Sequence, residues 1–296
     1  MDMSWLEVSI DVDGEAAEAV SEVFNRFGRG GAVVETIYST DDTYRYDSQR
    51  AVRVKTYLPP DDVESRRKLE EALWFLARLY PMPEPSFQTL KEEDWAQAWK
   101  KSYRPLRIGE RLMIVPSWWE FTPSPGDLII ELDPGMAFGT GLHPTTRMCL
   151  EALERIAQPG QHVLDMGAGS GILSIAAARL GVASVLAVEK DALAAGIACE
   201  NVARNGVQDQ VRVEAGSLDM VSGQFDLLLV NILAEVIVAL VGEGLLQHLK
   251  PGGRFIAAGI VEERAADVVL AVEARGARIV ERQQEKDWVT LLGAMA

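Results

Sequence analysis

The sequence has 296 residues, which is long enough for two domains of ordinary size. Hydrophobic residues make up 48% of it and charged residues 25%, and this balance excludes collagen-like, mucin-like and largely disordered chains. The formal net charge of −15 favours a basic protein over duplex nucleic acid as a partner, because phosphate contacts need clustered Lys and Arg.

The chain begins without the basic and apolar regions of a signal peptide. Its most apolar stretch, residues 227–241, is interrupted by Asn231 and Glu235 and is too short to span a bilayer. We therefore expect a cytoplasmic protein that does not enter a membrane. Two cysteines cannot form a disulfide framework, and both fall in predicted helices, where we expect them to be buried.

Strand and helix signals alternate in the first part of the chain. Alternating apolar residues predict strands, and apolar residues at helical spacing predict helices. The predicted strands lie at 5–12, 31–38, 51–58 and 87–90, and the predicted helices at 14–27 and 61–80. This β-α-β-β-α-β order is typical of a ferredoxin-like fold, so we predict a small α+β ferredoxin-like domain over residues 1–88.

Residues 89–120 are predicted to be a connector. Residues 94–101 look like a short helix. Residues 106–116 are predicted to form a hairpin that turns at Gly109 and Glu110, where glycine permits a tight turn.

The third predicted part, residues 121–296, shows βα repetition. The strands are predicted at 162–166, 184–189, 211–215, 225–230 and 254–260, and the helices at 171–180, 191–204, 233–248 and 262–275. Strands alternating with helices of this length predict a doubly wound, mostly parallel sheet. Two last strands, 277–282 and 288–292, leave no room for a crossover helix, so we expect antiparallel neighbours at the sheet edge. Residues 249–255 are predicted to stop a helix and turn.

The first motif with chemical meaning is a carboxylate followed by three glycines: Asp165, Gly167, Gly169 and Gly171. Glycines allow the backbone to turn tightly and approach a ligand, and the helix that follows offers free N–H groups. Ile172 occupies the position where a dinucleotide-binding loop would have its third glycine, which argues against a nicotinamide enzyme. The alternative is a bare strand-to-helix turn.

Two further polar residues follow the next strands at the same predicted rim. Glu189 ends a strand where a carboxylate can accept both hydroxyls of a ribose, and Asp191 is the expected cap of the next helix. Asn231 ends the strand at 225–230 and offers one acceptor and two donors to an incoming group. The alternatives are solvated charges for the acids and a helix cap for the amide.

Residues 132–146 are rich in glycine, contain Phe138 and lead into a helix that is expected to start near Pro144. Such a segment can cover a ligand held by the glycine loop. The hydroxyls of Thr140, Thr145 and Thr146 are candidates for ligand contacts or, alternatively, for capping that helix. His143 is the one histidine near the inferred site, either as a base or in a structural hydrogen bond.

Together these features resemble a class I methyltransferase that uses S-adenosylmethionine. The motifs at 138–146, 165–171 and 231–234, with the tryptophan-containing segments 94–100 and 116–118, are similar to the ribosomal protein L-eleven methyltransferase family. The likeness is strong from about residue 90 onward, whereas residues 1–85 match only in layout. It implies a Rossmann-like, seven-stranded, mostly parallel sheet behind a small substrate-recognition domain.

The resemblance also implies roles for individual residues. Cofactor contacts are expected at Thr146, Asp165, Gly167, Gly169, Gly171, Glu189 and Asn231, and catalytic roles at Asn231, Phe138 and Gly139. Two positions depart from the family pattern. Leu142 stands where Thr is common, and Glu189 is one methylene longer than the usual Asp. No metal is expected, because three scattered histidines and two distant cysteines make no metal site.

The implied reaction is methyl transfer from S-adenosylmethionine to amines of a basic ribosomal protein, the large-subunit protein L-eleven, by a monomer without direct nucleic-acid readout. The nearest alternative is methylation of another lysine-bearing protein. An RNA base methyltransferase is a weaker alternative, because Asn231 is not followed by an aromatic residue for base stacking. A non-catalytic ribosome-assembly factor is the third.

Overall fold

The structure is a computed structural model, and it describes residues 4–12, 14–36, 52–78, 82–91, 104–133, 141 and 143–296. The chain forms two compact units, Met1–Arg104 and Pro105–Ala296. The predicted helix at 94–101, with its two tryptophans, lies outside the described residues.

The first unit contains a four-stranded antiparallel sheet and two helices. Its elements are β1 (Ser4–Val12), α1 (Gly14–Phe27), β2 (Arg29–Thr36), β3 (Val52–Leu58), α2 (Val63–Leu76) and β4 (Ser86–Lys91). The strand order is β2-β3-β1-β4. Alternate residues of β1, including Val8 and Ile10, pack against Val20, Phe24 and Leu69 of the helices. The element order agrees with the sequence prediction.

Helix α2 is shorter than predicted at both ends. The Asp62 side chain accepts a hydrogen bond from the backbone N–H of Ser65, 3.1 Å away, so the helix begins at Val63 and not at Asp61. It ends at Leu76 although the apolar spacing continues to Tyr80. Apolar periodicity therefore overestimated this helix by extending beyond its caps.

The second unit contains ten strands and five α-helices in its described residues. They are β5 (Leu106–Ile108), β6 (Leu112–Val115), β7 (Leu128–Glu131), α3 (Pro144–Ile156), β8 (His162–Met166), α4 (Ile172–Arg179), β9 (Ser184–Glu189), α5 (Ala192–Arg204), β10 (Val211–Ala215), β11 (Phe225–Asn231), α6 (Ala234–Glu243), β12 (Leu249–Val261), α7 (Glu262–Glu273), β13 (Ala277–Glu285) and β14 (Trp288–Met295). Short 3-10 turns lie at 218–220 and 245–248.

Seven of these strands form one sheet in the order β10-β9-β8-β11-β12-β14-β13. The first five are parallel, and β14 is antiparallel to both β12 and β13, so the predicted doubly wound sheet with an antiparallel edge is confirmed. In chain order, β9 and β10 are added on one side of β8, and the strands from β11 onward are added on its other side. Such a reversal opens a crevice at the carboxyl ends of the strands, which is where ligands bind in sheets of this kind.

A separate three-stranded sheet precedes the large one. The predicted hairpin is confirmed as β5 and β6, which pair antiparallel. Strand β7 pairs parallel to β6 and was not predicted. It has only four residues, the first three of them apolar in a row, so it lacks the alternation of apolar and polar residues that identifies a strand.

Two other predictions need correction. Residues 249–255 form the beginning of β12 and not simply a turn, with a shift in pairing next to Gly252, which has a φ of 72°. Cys149 is buried as expected, but Cys199 is exposed on α5. No helix among the described residues is both long and apolar enough to cross a membrane; residues 227–241 are divided between β11 and α6.

Candidate functional site

The glycine loop connects β8 to α4 at the centre of the sheet. Gly167, Gly169 and Gly171 have φ angles of 78°, 56° and 80°, a region that side chains with a Cβ rarely adopt. The backbone N–H groups of Gly167 and Ala168 both donate to the Val188 carbonyl oxygen, at 2.8 and 3.1 Å. A Cβ on Gly167 would lie 2.5 Å from the Ile232 Cγ2 atom. The predicted tight turn is therefore present and closely packed.

Glu189 holds the glycine loop from the neighbouring strand. Its Oε2 atom accepts a hydrogen bond from the Gly169 N–H at 2.9 Å, and its Oε1 atom accepts one from the Asp191 N–H at 3.0 Å. Each oxygen retains a second lone pair, so the carboxylate can still accept hydroxyl groups. Asp191 caps α5 through the Leu193 N–H at 2.9 Å, as predicted.

Asp165 lies inside the sheet one residue before β8 ends, and only 1% of it is exposed. Its Oδ2 atom accepts a hydrogen bond from the Ser174 hydroxyl at 2.6 Å, whereas its Oδ1 atom has no partner among the described residues. Burial raises the pKa of the Asp165 carboxyl to about 6, although the bond from Ser174 acts in the opposite direction. A buried acceptor without a donor among the described residues is available to a donor group of a ligand.

Asn231 is the last residue of β11, which is paired directly with β8. Its Nδ2 group donates to the Thr146 hydroxyl oxygen over a long 3.4 Å, and its buried Oδ1 atom has no partner among the described residues. Thr146 lies in the first turn of α3 and is fully buried. The rim thus holds a second buried acceptor close to the first, on adjacent strands.

His143 caps helix α3. Its Nδ1 atom lies 3.3 Å from the Thr145 backbone nitrogen and 2.8 Å from the Thr145 hydroxyl. Burial and the nearby Arg147 guanidinium lower the pKa of His143 to about 4, so the imidazole is neutral at pH 7. These contacts agree with a structural hydrogen bond, which is one of the two roles considered for His143. Of the two roles left open for the threonines, capping of this helix is taken by His143 instead.

The profile of the family described as "Ribosomal protein L11 methyltransferase (PrmA)" matches residues 4–295. The chain belongs to the ribosomal protein L11 methyltransferase family. The ribosomal protein L11 methyltransferases of Chloroflexus aurantiacus and Pelotomaculum thermopropionicum are 47% and 46% identical to it. Both alignments cover 98% of this chain. They cover 97% of the Chloroflexus protein and 98% of the Pelotomaculum protein.

A solved structure agrees with this assignment. The ribosomal protein L11 methylase from Lactobacillus delbrueckii subsp. bulgaricus superimposes with a TM-score of 0.60 at 33% sequence identity. The match covers 65% of this chain and 98% of that one. The fold and the family identified from the motifs are thereby confirmed.

Most of the site residues predicted for this L11 methyltransferase family member lie at one rim. Gly169 is hydrogen-bonded to Glu189, and Asn231 to Thr146. Ile232, which follows Asn231, packs against Gly167 and connects the two groups. Phe138 and Gly139 lie outside the described residues, so their predicted positions are not tested. The described residues contain no cluster of ligands suited to a metal ion.

Three neighbours of the site are not among the residues predicted from the sequence. Ser174 is the polar residue within the apolar run of α4 and could have been recognised as facing a buried partner. Ile232 is one residue from the Asn231 motif, but its contact with Gly167 depends on the strand order. Trp288, whose ring centroid lies 4.8 Å from that of His143, is too distant in sequence to have left any local signal.

The donor and acceptor groups at the rim fit S-adenosylmethionine, the cofactor of this family. Its ammonium and ribose hydroxyl groups are donors, and the unpartnered oxygens of Asp165 and Asn231 and the lone pairs of Glu189 are acceptors. Gly167 leaves the loop without a side chain where it meets Ile232, the residue after β11.

Proposed function

We propose that this chain transfers methyl groups from S-adenosylmethionine to lysine side chains and to the N-terminal α-amine of ribosomal protein L11. The observation that carries this proposal is a pair of buried oxygens at the rim of the sheet, one of Asp165 and one of Asn231, for which the described part of the chain offers no hydrogen-bond partner. Buried polar atoms in folded proteins nearly always have partners, so these two indicate a polar ligand. When bound, S-adenosylmethionine supplies an electrophilic methyl group on a positively charged sulfur.

The cofactor is held, in this proposal, by the residues of the glycine loop and by its neighbours. They are Thr146, Asp165, Gly167, Gly169, Gly171, Glu189 and Asn231. Glu189 would accept the ribose hydroxyls while keeping its bonds to the Gly169 and Asp191 N–H groups, since each carboxylate oxygen has two lone pairs. Phe138 and Gly139 are proposed to flank the incoming amine.

An attacking amine must first lose its proton. A free lysine with a pKa of about 10.4 requires roughly 4–5 kcal/mol to be neutral at pH 7, whereas an α-amine with a pKa near 8 requires about 1–1.5 kcal/mol. Removal from water, beside a positive sulfonium, lowers the pKa of an amine further. The proposed site therefore needs little more than to exclude water and to orient the nitrogen.

Asn231 is well suited to orient that nitrogen. Its Oδ1 atom is buried and without a partner among the described residues, so it can accept a hydrogen bond from an N–H of the neutral amine. A carboxamide carries no charge, so unlike a carboxylate it does not favour the unreactive ammonium form. Correct alignment of nitrogen, carbon and sulfur can contribute several kcal/mol to the rate.

His143 is not the base in this proposal. Its pKa of about 4 makes it a weak proton acceptor, and its Nδ1 atom is already engaged with Thr145. The amine is instead expected to lose its proton to water before transfer. Activity should then rise with pH up to the pKa of the bound amine, and His143, which is neutral well above pH 4, should add no step of its own near neutral pH.

The surface charge suits a basic substrate. The net charge of −15 would speed the encounter with a lysine-rich ribosomal protein. We expect association that weakens between roughly 50 and 500 mM salt, because salt screens attraction between exposed charges. We further propose that residues 1–88 recognise the substrate, that 89–120 connect and that 121–296 catalyse. In this proposal the enzyme acts as a cytoplasmic monomer without direct nucleic-acid readout.

The test is transfer of labelled methyl groups to undermethylated ribosomal particles. We expect label on L11, and mass spectrometry of that band will give the modified amines and the methyl count. Label on RNA would support the base methyltransferase instead, and label on a different protein would support the nearest alternative. Binding of S-adenosylmethionine without turnover on any lysine-rich protein would indicate an assembly factor.

A further inference from the structure

Helix α3 carries Thr146, the hydrogen-bond partner of Asn231, and it is fastened to the edge strand β13 by two ion pairs. Arg147, next to Thr146, pairs with Glu285. Arg155 pairs with Glu281 through two hydrogen bonds of 2.9 and 3.1 Å. Arg147 and Arg155 are eight residues apart on the helix, and Glu281 and Glu285 are four residues apart on the strand. Both separations correspond to about 12–13 Å, so the ion pairs join positions that are equally spaced along the two elements.

The two ion pairs differ in burial. The Arg147 side chain is 6% exposed and that of Glu285 is 28% exposed, whereas the Arg155 and Glu281 side chains are 49% and 34% exposed. A guanidinium buried beside the site is strongly destabilising without its carboxylate, but an exposed pair contributes little. The first turn of α3 is therefore held more firmly than its last turn.

The turn between β13 and β14 reaches the same rim as Asn231. Trp288 pairs with Val261 at the carboxyl end of β12, and β12 is the neighbour of β11. The Asp287 carbonyl oxygen accepts the Glu262 N–H at 2.8 Å, which ties the turn to the first residue of α7. The Trp288 ring meets that of His143, the cap of α3, edge to face with centroids 4.8 Å apart.

We propose that Glu285 and Trp288 are positioning residues for methyl transfer, which hold the first turn of α3 so that Thr146 keeps the Asn231 carboxamide aimed at the reacting amine. Glu285 acts through Arg147, and Trp288 acts through His143. The bond from Asn231 to Thr146 is already 3.4 Å long, so a small displacement of the helix breaks it. The role in catalysis rests on the proposed function; the effect on Asn231 does not.

The test compares Glu285→Gln with the matched control Glu281→Gln, which weakens the exposed pair on the same helix and strand. We expect Glu285→Gln to lower kcat about tenfold with less than a twofold change in KM for the protein substrate, and Glu281→Gln to leave both within about twofold. The side-chain amide resonance of Asn231, assigned as the signal missing in Asn231→Ala, should shift in Glu285→Gln only. This resonance needs no turnover, so it separates failure of this proposal from failure of the proposed function.

A second pair of variants covers the case in which Glu285→Gln fails to fold. Trp288→Phe keeps an aromatic ring against His143 and should retain kcat within about threefold, whereas Trp288→Leu should lower it about tenfold. Melting temperatures of all four variants separate loss of stability from loss of alignment. Equal effects of Glu285→Gln and Glu281→Gln on kcat and on the Asn231 resonance, or of the two Trp288 variants, would overturn the proposal.

Discussion

Two buried asparagines of the second unit have opposite hydrogen-bonding status. Asn205, directly after α5, is 4% exposed, and its Oδ1 atom accepts the Glu131 N–H at 2.8 Å. Its Nδ2 group donates to the carbonyl oxygens of Glu131 and Asn201 at 2.7 and 2.8 Å. Asn205 thus makes the hydrogen bonds with β7 that a further strand would make. Both its Oδ1 atom and its Nδ2 group have partners.

Asn231 is 9% exposed and has only one long bond, with its Oδ1 atom unpartnered among the described residues. Asp165 likewise has one bonded oxygen and one without a partner. Because folding selects for satisfied buried polar groups, we interpret the difference as one between an amide that stabilises the fold and one that, in the proposed function, receives a ligand. Removing the first should reduce stability, and removing the second should reduce function.

Asn205→Ala tests the stabilising side of this comparison and has the largest expected effect. The substitution leaves both the N–H and the carbonyl of Glu131 without their partner, and each such group costs about 1–3 kcal/mol when buried. We expect the free energy of unfolding in urea to fall by about 4 kcal/mol, while folded protein binds S-adenosylmethionine normally. Unchanged stability would contradict the assignment of Asn205 to the fold.

Asp165→Asn should alter the pH dependence of stability. The folded protein holds the proton of Asp165 up to a pKa of about 6, compared with an ordinary value of 3.8, so this group favours folding below pH 4 and that contribution is lost as the pH rises through 6. Asparagine cannot ionise. The unfolding free energy of Asp165→Asn relative to the parent should therefore rise by roughly 2–2.5 kcal/mol from pH 4 to pH 7.5 without cofactor.

Asp226→Asn is the matched control for that titration. The N–H of His162 and the ammonium of Lys250 donate to Asp226 and lower the pKa of its carboxyl, although its partial burial acts in the opposite direction. Its stabilising contribution is present above its ordinary pKa and is lost as the pH falls, so the relative stability of this variant should change in the opposite direction. If the difference in unfolding free energy between Asp165→Asn and the parent did not change with pH over the same range, the buried carboxyl would have its ordinary pKa.

Asn231→Ala tests the functional side of the comparison. We expect kcat to fall about 100-fold, which corresponds to about 2.7 kcal/mol, because the amine is no longer oriented. The free energy of unfolding should change by less than about 1 kcal/mol, since a single 3.4 Å bond is lost. Full activity in a steady-state methylation assay would remove Asn231 from the site.

The site could be predicted from the sequence where local rules decide the geometry. Asp165 and the glycines after it follow a strand directly, so the turn and its exposed N–H groups depend on nearby residues alone. Glu189 and Asn231 could be placed at one rim because parallel strands joined by helices end at the same edge. These inferences needed only the order of the elements.

The rest of the site depends on pairs that are distant along the chain. Arg147 and Glu285 are 138 residues apart, and neither has a feature that identifies the other. Asn205 reads as an ordinary helix end, because its two bonds to Glu131 exist only through β7, which has no periodic signal of its own. The difference between Asn205 and Asn231 is therefore visible only once the strands are assembled.

Gly167→Ala has the smallest expected effect and sharpens the comparison within the glycine loop. The alanine would keep the positive φ of residue 167, which costs a residue with a Cβ about 1–2 kcal/mol. Its Cβ would also lie 2.5 Å from the Ile232 Cγ2 atom. Gly160→Ala is the matched control, because Gly160 has a φ of 85° and no atom within 4 Å of a Cβ. We expect unfolding free energies about 2 and about 1 kcal/mol below the parent, respectively. Calorimetry should show about tenfold weaker binding of S-adenosylmethionine for Gly167→Ala alone, since only in that variant does the new methyl group push the glycine loop away from Ile232. Equal binding by the two variants would mean that the loop adapts to a side chain where it meets Ile232.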